Sequence, residues 1–335
     1  MQNIIDNCIT HPVPNAFLTK GIFVSSNPNQ VSHHPIFSQS PIYTNLPMDL
    51  HCHSTRSDGT FSPSEVVQKA HATGVKVLAL TDHDTILGIS EARQMADSLG
   101  ITLINGVEIS CRHRVIGGYS KKPAQSEKVI HVLGLGFSDS EKINAKLSAI
   151  QANRESRGYA MCEKVAKTFN LPIDEIWEAV LIQAKGNPQA VGRTHLAKVM
   201  ADKGLVSDVQ KAFTGYLADH KSCYVALDGL SLKNCVQLIH DCGGRAALAH
   251  ATRYNLTATK VRKLIADFAQ VGGDAIELPA RTEPTSTRHM VDRAIKEHGL
   301  KVSIGSDFHG TTMPWRLLGD VPKLHEGQIG VWELF

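Results

Sequence analysis

From Met48 onward the chain alternates short apolar, β-branched runs with longer amphipathic stretches. The runs read "MDLHCH", "VKVLALTDHD", "ITLINGVEIS", "VIHVLGLGF", "RAALAHAT", "DAIELPA" and "KVSIGSDFH". Between them apolar positions return at helical spacing. In "SPSEVVQKAHATG", Ser62 stands as N-cap, Glu65 follows three residues on, and Gly74 supplies the stop. Residues 88–100, 231–243, 258–272 and 285–299 carry the same pattern. Runs that are apolar on both faces, alternating with helices, predict a parallel sheet covered on both sides. Seven such runs predict a barrel, because an open sheet would leave two edges exposed.

One stretch breaks the rhythm. Residues 141–226 show helical patterns and no convincing strand, with "SAIQANRESRGYAMCEKVAKTF" as one long helix. The expected organisation is therefore an α/β barrel over 47–140 and 227–335, with a small all-helical insertion over 141–226 after the fourth strand. Residues 1–46, rich in Asn, Pro, Ser and Thr without a sustained period, read as an irregular leader or a strap across the domain. Met48 is a conceivable alternative start that would strip strand one of its lead-in.

Composition narrows the class. The charged fraction of 20% and the formal net charge of +3 are those of an ordinary globular protein, so charge alone argues for no nucleic-acid partner. The whole formal excess falls within the insertion. No apolar run approaches the roughly 20 residues of a membrane span, and the N-terminus lacks a signal-peptide pattern. The seven cysteines form no CxxC pair, which fits a reducing cytoplasm.

The polar residues at the ends of the apolar runs carry the chemistry. The first run gives His51 and His53, with Asp58 just beyond; the second gives His83; the third Glu108; the fourth His131. The fifth gives His250, and the seventh Asp307 and His309. Glu277 on the sixth is doubtful. In a parallel α/β barrel the strand C-termini meet at one face, so six imidazoles and three carboxylates would gather there. His51 and His53 lie two apart and share a side, leaving Cys52 to packing. A single histidine at a strand end is ordinarily a satisfied polar residue; nine converging groups predict a metal site. Without cations the carboxylates would repel one another and be costly to desolvate. Imidazole and carboxylate without thiolate suit manganese, zinc or iron. Nine ligands suffice for three ions sharing a carboxylate, an arrangement suited to splitting phosphate esters. Asp82 and Asp84 flank His83 and read as structural partners, with Asp82 orienting an imidazole through its free ring N–H. His71, His240, His289 and His298 fall inside helical patterns with no special role.

"DLHCHSTRSDG", "ALTDHD", "GVEIS", "LAH" and "GSDFH" together resemble the PHP (polymerase and histidinol phosphatase) superfamily over residues 48–335. "GRTHLAK", "AHATRYNLT", "GSDFHG…PW…LG" and "GVWELF" resemble its RNase AM type, also described as 3′,5′-nucleoside bisphosphate phosphatases. The resemblance implies a distorted (β/α)7 barrel, a trinuclear site and a helical insertion. It implies three divalent ions, manganese first, with zinc or iron as alternatives. One would be held by His51, His53, Glu108 and Asp307, the second by Glu108, His131 and His250, and the third by Asp58, His83 and His309. It implies Glu108 and Asp307 as catalytic groups, Asp307 also accepting a proton from water. Relatives usually carry Pro-Gly after the fifth-strand histidine; Ala251 and Thr252 stand here, which bears on the loop holding Arg253.

A phosphate substrate needs cationic clamps. Arg154 and Arg157 on the long insertion helix, Arg193 and His195 in "GRTHLAK", and Arg253 are the candidates. The family places Arg193 and His195 near substrate. The implied substrates are RNA 5′ ends, trimmed 5′ to 3′, and 3′,5′-bisphosphonucleotides such as pAp. Both would lose the phosphoester on the 3′ oxygen of a 5′-phosphorylated nucleotide. The alternatives are another PHP phosphatase, for example on histidinol phosphate, an amidohydrolase, or a non-catalytic nucleic-acid-binding module. Amidohydrolases usually bridge metals with a modified lysine on strand four, where this chain has His131. Oligomeric state is not legible.

Overall fold

Strand β2 (Val77–Leu80) is buried along its whole length, as a strand covered on both faces must be. The computed structural model describes residues 46–115, 126–219 and 221–335, so the leader expected over 1–46 lies outside the described residues apart from Leu46. Before β2 come β1 (Met48–Asp49) and α1 (Pro63–Ala72). Ser62 and Glu65 form the expected reciprocal cap of α1, and Gly74 takes the left-handed backbone beyond it. Helix α2 (Ile89–Leu99) and the long strand β3 (Thr102–Val115) follow.

Next comes a departure from the expected parallel sheet. Strand β4 (Ser126–Leu135) runs antiparallel to β3, with His131 opposite Ser110, and antiparallel to its other neighbour β6 (Arg245–Leu248). His131 therefore sits mid-strand, not at a strand C-terminus. Ten residues lie between β3 and β4, too few for the helical crossover that a parallel pair needs.

The rest of the barrel keeps the α/β rhythm. Strand β5 (Leu230–Ser231) leads into α7 (Leu232–Asp241). Helix α8 (Ala258–Gln270), β7 (Ala275–Glu277), α9 (Thr285–His298) and β8 (Lys301–Ser303) complete it. The strand order is β1-β2-β3-β4-β6-β7-β8, with short β5 against β3. The ring closes between its first and last strands. Leu50 N–H donates to Ile304 C=O at 3.0 Å, Asp307 N–H to His51 C=O at 2.8 Å, and His53 N–H to Phe308 C=O at 2.9 Å. The product is a distorted seven-stranded α/β barrel.

Between β4 and β5 the described residues hold helices and no strand: α3 (Ser140–Phe169), α4 (Ile173–Gln183), α5 (Arg193–Asp202) and α6 (Val209–Ala212). Helix α3 serves two cores. Ile143, Leu147 and Ile150 pack into the barrel core. Met161, Cys162 and Val165 pack into a second core with Ile176, Leu196 and Met200. Thirty residues at 1.5 Å each give α3 a length of about 45 Å, enough to span both. No helix among the described residues is long and apolar enough to cross a membrane.

Candidate metal centre

Glu108 is the hub. It is fully buried near the middle of β3, and five imidazoles surround it. Its Oε2 lies 3.4 Å from His51 Nε2, 3.2 Å from His53 Nε2 and 3.0 Å from His83 Nδ1. Its Oε1 lies 3.0 Å from His131 Nδ1 and 2.9 Å from His250 Nε2. Opposite stands Asp307, whose Oδ1 is 3.4 Å from His51 Nε2 and 3.5 Å from His53 Nε2. Asp58 Oδ1 approaches His309 Nε2 at 3.3 Å and His83 Nε2 at 3.8 Å. All nine candidate ligands thus meet in one place.

The donor set fits cations better than it fits itself. Asp58 Oδ1, His83 Nδ1, Glu108 Oε2 and His131 Nδ1 are buried without a hydrogen-bond partner, although neighbours stand close by. Their lone pairs converge instead of pairing. Four overlapping groups have ligand atoms all within 4.8 Å of one another: His53, Asp58, His83 and His309; His51, His53 and Glu108; His51, His250 and Asp307; His83, Glu108 and His131. Buried acceptors left unpaired are costly, and divalent ions would satisfy all of them.

Charge balance supports this. Burial works to raise the Glu108 carboxyl, but His83, His131 and His51 outweigh it and hold it well below the usual carboxylate range. Burial pushes His83 down to about 4 against the pull of Glu108 and Asp58, leaving a neutral imidazole of the kind that ligates metal.

The backbone is bent to make the site. Asp84, His250 and Asp307 all adopt positive φ without being glycine, at 52°, 29° and 56°. Such residues cluster where function dictates geometry. Gly305 allows the segment carrying Asp307 to lie against strand one: a Cβ there would meet His51 Cβ at 2.2 Å. Cys52, between the two histidines, points away as expected and donates to Ala79 C=O at 3.3 Å.

Several partners lie beyond the ligands. Glu277 Oε2 lies 2.5 Å from His51 Nδ1, fixing that ring with Nε2 toward Glu108. The role imagined for Asp82 thus belongs to Glu277. Asp82 instead accepts from Ser54 N–H and from the Ser54 and Ser57 hydroxyls, so only Ser57 stands between it and His53. The Thr194 hydroxyl donates to Asp58 at 3.2 Å, joining α5 to a candidate ligand. Tyr254 donates to Ala249 C=O, accepts from His131 N–H, and packs beside the His250 ring. Thr194 and Tyr254 carry no sequence signal of their own.

The cations sit above the carboxylates. Arg154, Arg157 and Arg193 line the same pocket as Asp58, Glu108 and His250. Arg154 and Arg157 occupy the buried stripe of α3 between Ile150 and Met161, where the helical period calls for apolar residues. Arg154 Nε pairs with Asp84 at 2.5 Å, and a second nitrogen donates to Ser110 at 3.0 Å. Arg157 has no carboxylate partner among the described residues; its Nε donates to Val225 C=O. Burial first, then the guanidiniums of Arg193 and Arg154, push Arg157 down to about 9. Arg193 reaches Asp219 at 3.4 Å. His195 accepts from Gly192 N–H at the start of α5, buried just behind that wall. Arg253 donates to Asp307 Oδ2 at 2.6 Å. In the same loop the Thr252 hydroxyl donates to Glu283 at 2.6 Å.

Comparison with known proteins agrees with this geometry. The PHP domain family model matches residues 49–278. A 5′-3′ exoribonuclease of Haemophilus influenzae is 40% identical over 288 residues, covering 86% of this chain and 98% of its own. A 3′,5′-nucleoside bisphosphate phosphatase of Chromobacterium violaceum is 34% identical over 277 residues, 83% of this chain and 92% of its own. Among solved structures, an amidohydrolase from Chromobacterium violaceum with bound sulfate superposes with a TM-score of 0.74 at 31% identity, over 86% of this chain and 95% of that one. A protein from Bifidobacterium adolescentis assigned as a metal-dependent phosphoesterase gives 0.67 at 26%, over 86% and 93%.

Proposed function

The chain belongs to the PHP domain family, and on that premise we propose that it is a metal-dependent phosphoesterase that hydrolyses the 3′-phosphoester of 5′-phosphorylated nucleotides. On RNA this makes it a 5′-3′ exoribonuclease; on 3′,5′-bisphosphonucleotides such as pAp it is a phosphatase. Each releases a 5′-mononucleotide. The observation that carries the reading is Arg157: a buried, carboxylate-free guanidinium facing the same pocket as the nine-ligand cluster. An anion would complete that wall. A substrate phosphate on the metal side and a second on the arginine side are the two ends of one nucleotide.

The roles follow from position. His51, His53, Glu108 and Asp307 would hold one cation, Glu108, His131 and His250 a second, and Asp58, His83 and His309 a third, with Glu108 shared. Manganese is the first choice, zinc and iron the alternatives. Bound there, such ions withdraw charge from phosphoryl oxygens and acidify water. Burial works to raise the Asp307 carboxyl, but His51 and His309 outweigh it and keep it ionised; aimed by Arg253, it would accept a proton from the attacking water. Residues 141–226 act as a cap, in which Arg154, Arg157 and Arg193, backed by His195, read the 5′-phosphate. No lysine lines the described pocket, which disfavours the lysine-bridged amidohydrolase arrangement. The six described cysteines are all free, and we place the protein in the reducing cytoplasm.

The test is turnover by metal-loaded protein of pAp, 3′-AMP, 5′-phosphorylated RNA and 5′-hydroxyl RNA side by side. The reading requires strong preference for the two substrates bearing a 5′-phosphate. Indifference to that group would overturn it.

A further inference from the structure

Beyond the candidate ligand His309 the chain turns through Gly310–Thr312. Met313 lines the pocket, and Arg316 N–H donates to Met313 C=O at 2.9 Å, closing a tight turn. Trp315 stands on that turn with 68% of its surface exposed. The other two tryptophans have partners: Trp332 is buried, and Trp177 packs edge-on against Tyr159. An indole with so little cover leaves a large apolar surface in water. Beside it, Arg316 is half-buried and pairs with no carboxylate among the described residues. Burial and nearby Arg253 lower its hold on a proton, while Asp307, Glu277 and Glu283 oppose them.

We propose that Trp315 and Arg316 form a subsite for the RNA strand downstream of the scissile phosphate, the indole stacking on a base and the guanidinium meeting a phosphate. This rests on the phosphoesterase reading above. An aromatic face beside an unpaired cation is how single strands are held without sequence preference, which suits an enzyme that steps through any RNA. A free bisphosphonucleotide ends at the phosphate being cleaved and cannot reach the turn. The subsite therefore acts on one substrate class and not the other.

The experiment compares kcat/KM of the manganese-loaded wild type and Trp315→Ala on a 5′-phosphorylated oligoribonucleotide and on pAp. The expected loss on RNA is roughly 5- to 150-fold, the range of one base stack, with pAp turnover unchanged. Trp315→Phe, which keeps a ring, should recover most of the RNA activity. Arg316→Gln should flatten the salt dependence of oligonucleotide binding by about 0.7 in log–log slope, the value of one single-strand phosphate contact. Undiminished RNA turnover in Trp315→Ala, or an equal loss on both substrates, would overturn the subsite. So would a change in the variant's solution mass with RNA turnover retained, which assigns the indole to a protein contact. A wild type that cleaves pAp and not RNA removes the subsite and leaves the phosphatase; one that cleaves neither defeats the phosphoesterase reading itself.

Discussion

His51 Nδ1 lies 2.5 Å from Glu277 Oε2, and both side chains are shut off from solvent. The carboxylate fixes which nitrogen of His51 faces the cluster and makes that nitrogen a better donor. Glu277→Gln should therefore leave the fold intact and weaken metal affinity about 10- to 100-fold. Titration against a competing chelator measures this directly. Unchanged affinity would reduce Glu277 to a packing partner.

Glu108 offers both oxygens to imidazoles on opposite sides. Glu108→Gln keeps the volume and removes the charge, so metal content per chain should drop and hydrolysis should vanish together. Elemental analysis with parallel assays decides the point. Full metal content with normal turnover would refute the shared-ligand role.

Arg157 predicts a trade between stability and function. A buried guanidinium without a carboxylate is destabilising to the empty protein. Arg157→Met should raise the melting temperature of substrate-free protein while cutting kcat/KM on pAp. The lost phosphate contact is worth roughly 1.5 to 3 kcal/mol, or about 10- to 150-fold. Hydrolysis of p-nitrophenyl phosphate, which has no second phosphate, should be spared. If both substrates suffer alike, Arg157 serves packing instead.

Gly305 predicts a purely steric effect. Gly305→Ala would drive a methyl into His51, where the ideal Cβ lies 2.2 Å from the His51 Cβ. Overpacking of this kind costs about 1 to 3 kcal/mol, and here it also displaces a candidate ligand. Chemical denaturation should show the loss, and metal affinity should fall with it. A variant as stable and as metal-avid as the wild type would show that the strands separate more easily than their contacts imply.

The site was legible because chemistry forces particular residues to particular places. One imidazole or carboxylate at the end of an apolar run is ordinary, but His51, His53, His83, Glu108, His250 and Asp307 recur there run after run, and that recurrence has few bland explanations. The direction of β4 was not legible, because a strand buried on both faces has the same apolar pattern whichever way it runs. The available signal was the gap between β3 and β4, which shows no helical period. Glu277 was visible at a strand end but could not be separated from a ligand, since its contact with His51 spans 226 residues of sequence. The burial of Arg154 and Arg157 was hidden differently. Their positions continue the apolar stripe of α3, yet only the fold shows that the stripe crosses the pocket between two cores.

The seam that closes the barrel has a kinetic meaning. His51 and His53 lie on one lip of it and Asp307 and His309 on the other, joined by the backbone bonds between strand one and the segment after β8. Ions held by both lips would rivet the two ends of the sheet together. Unzipping the barrel from this edge would then require ligand release first, so bound metal should lengthen the lifetime of the folded state. Protease digestion of metal-free and metal-loaded protein would display that difference as a change in survival time, with cleavage beginning where β1 meets the segment after β8.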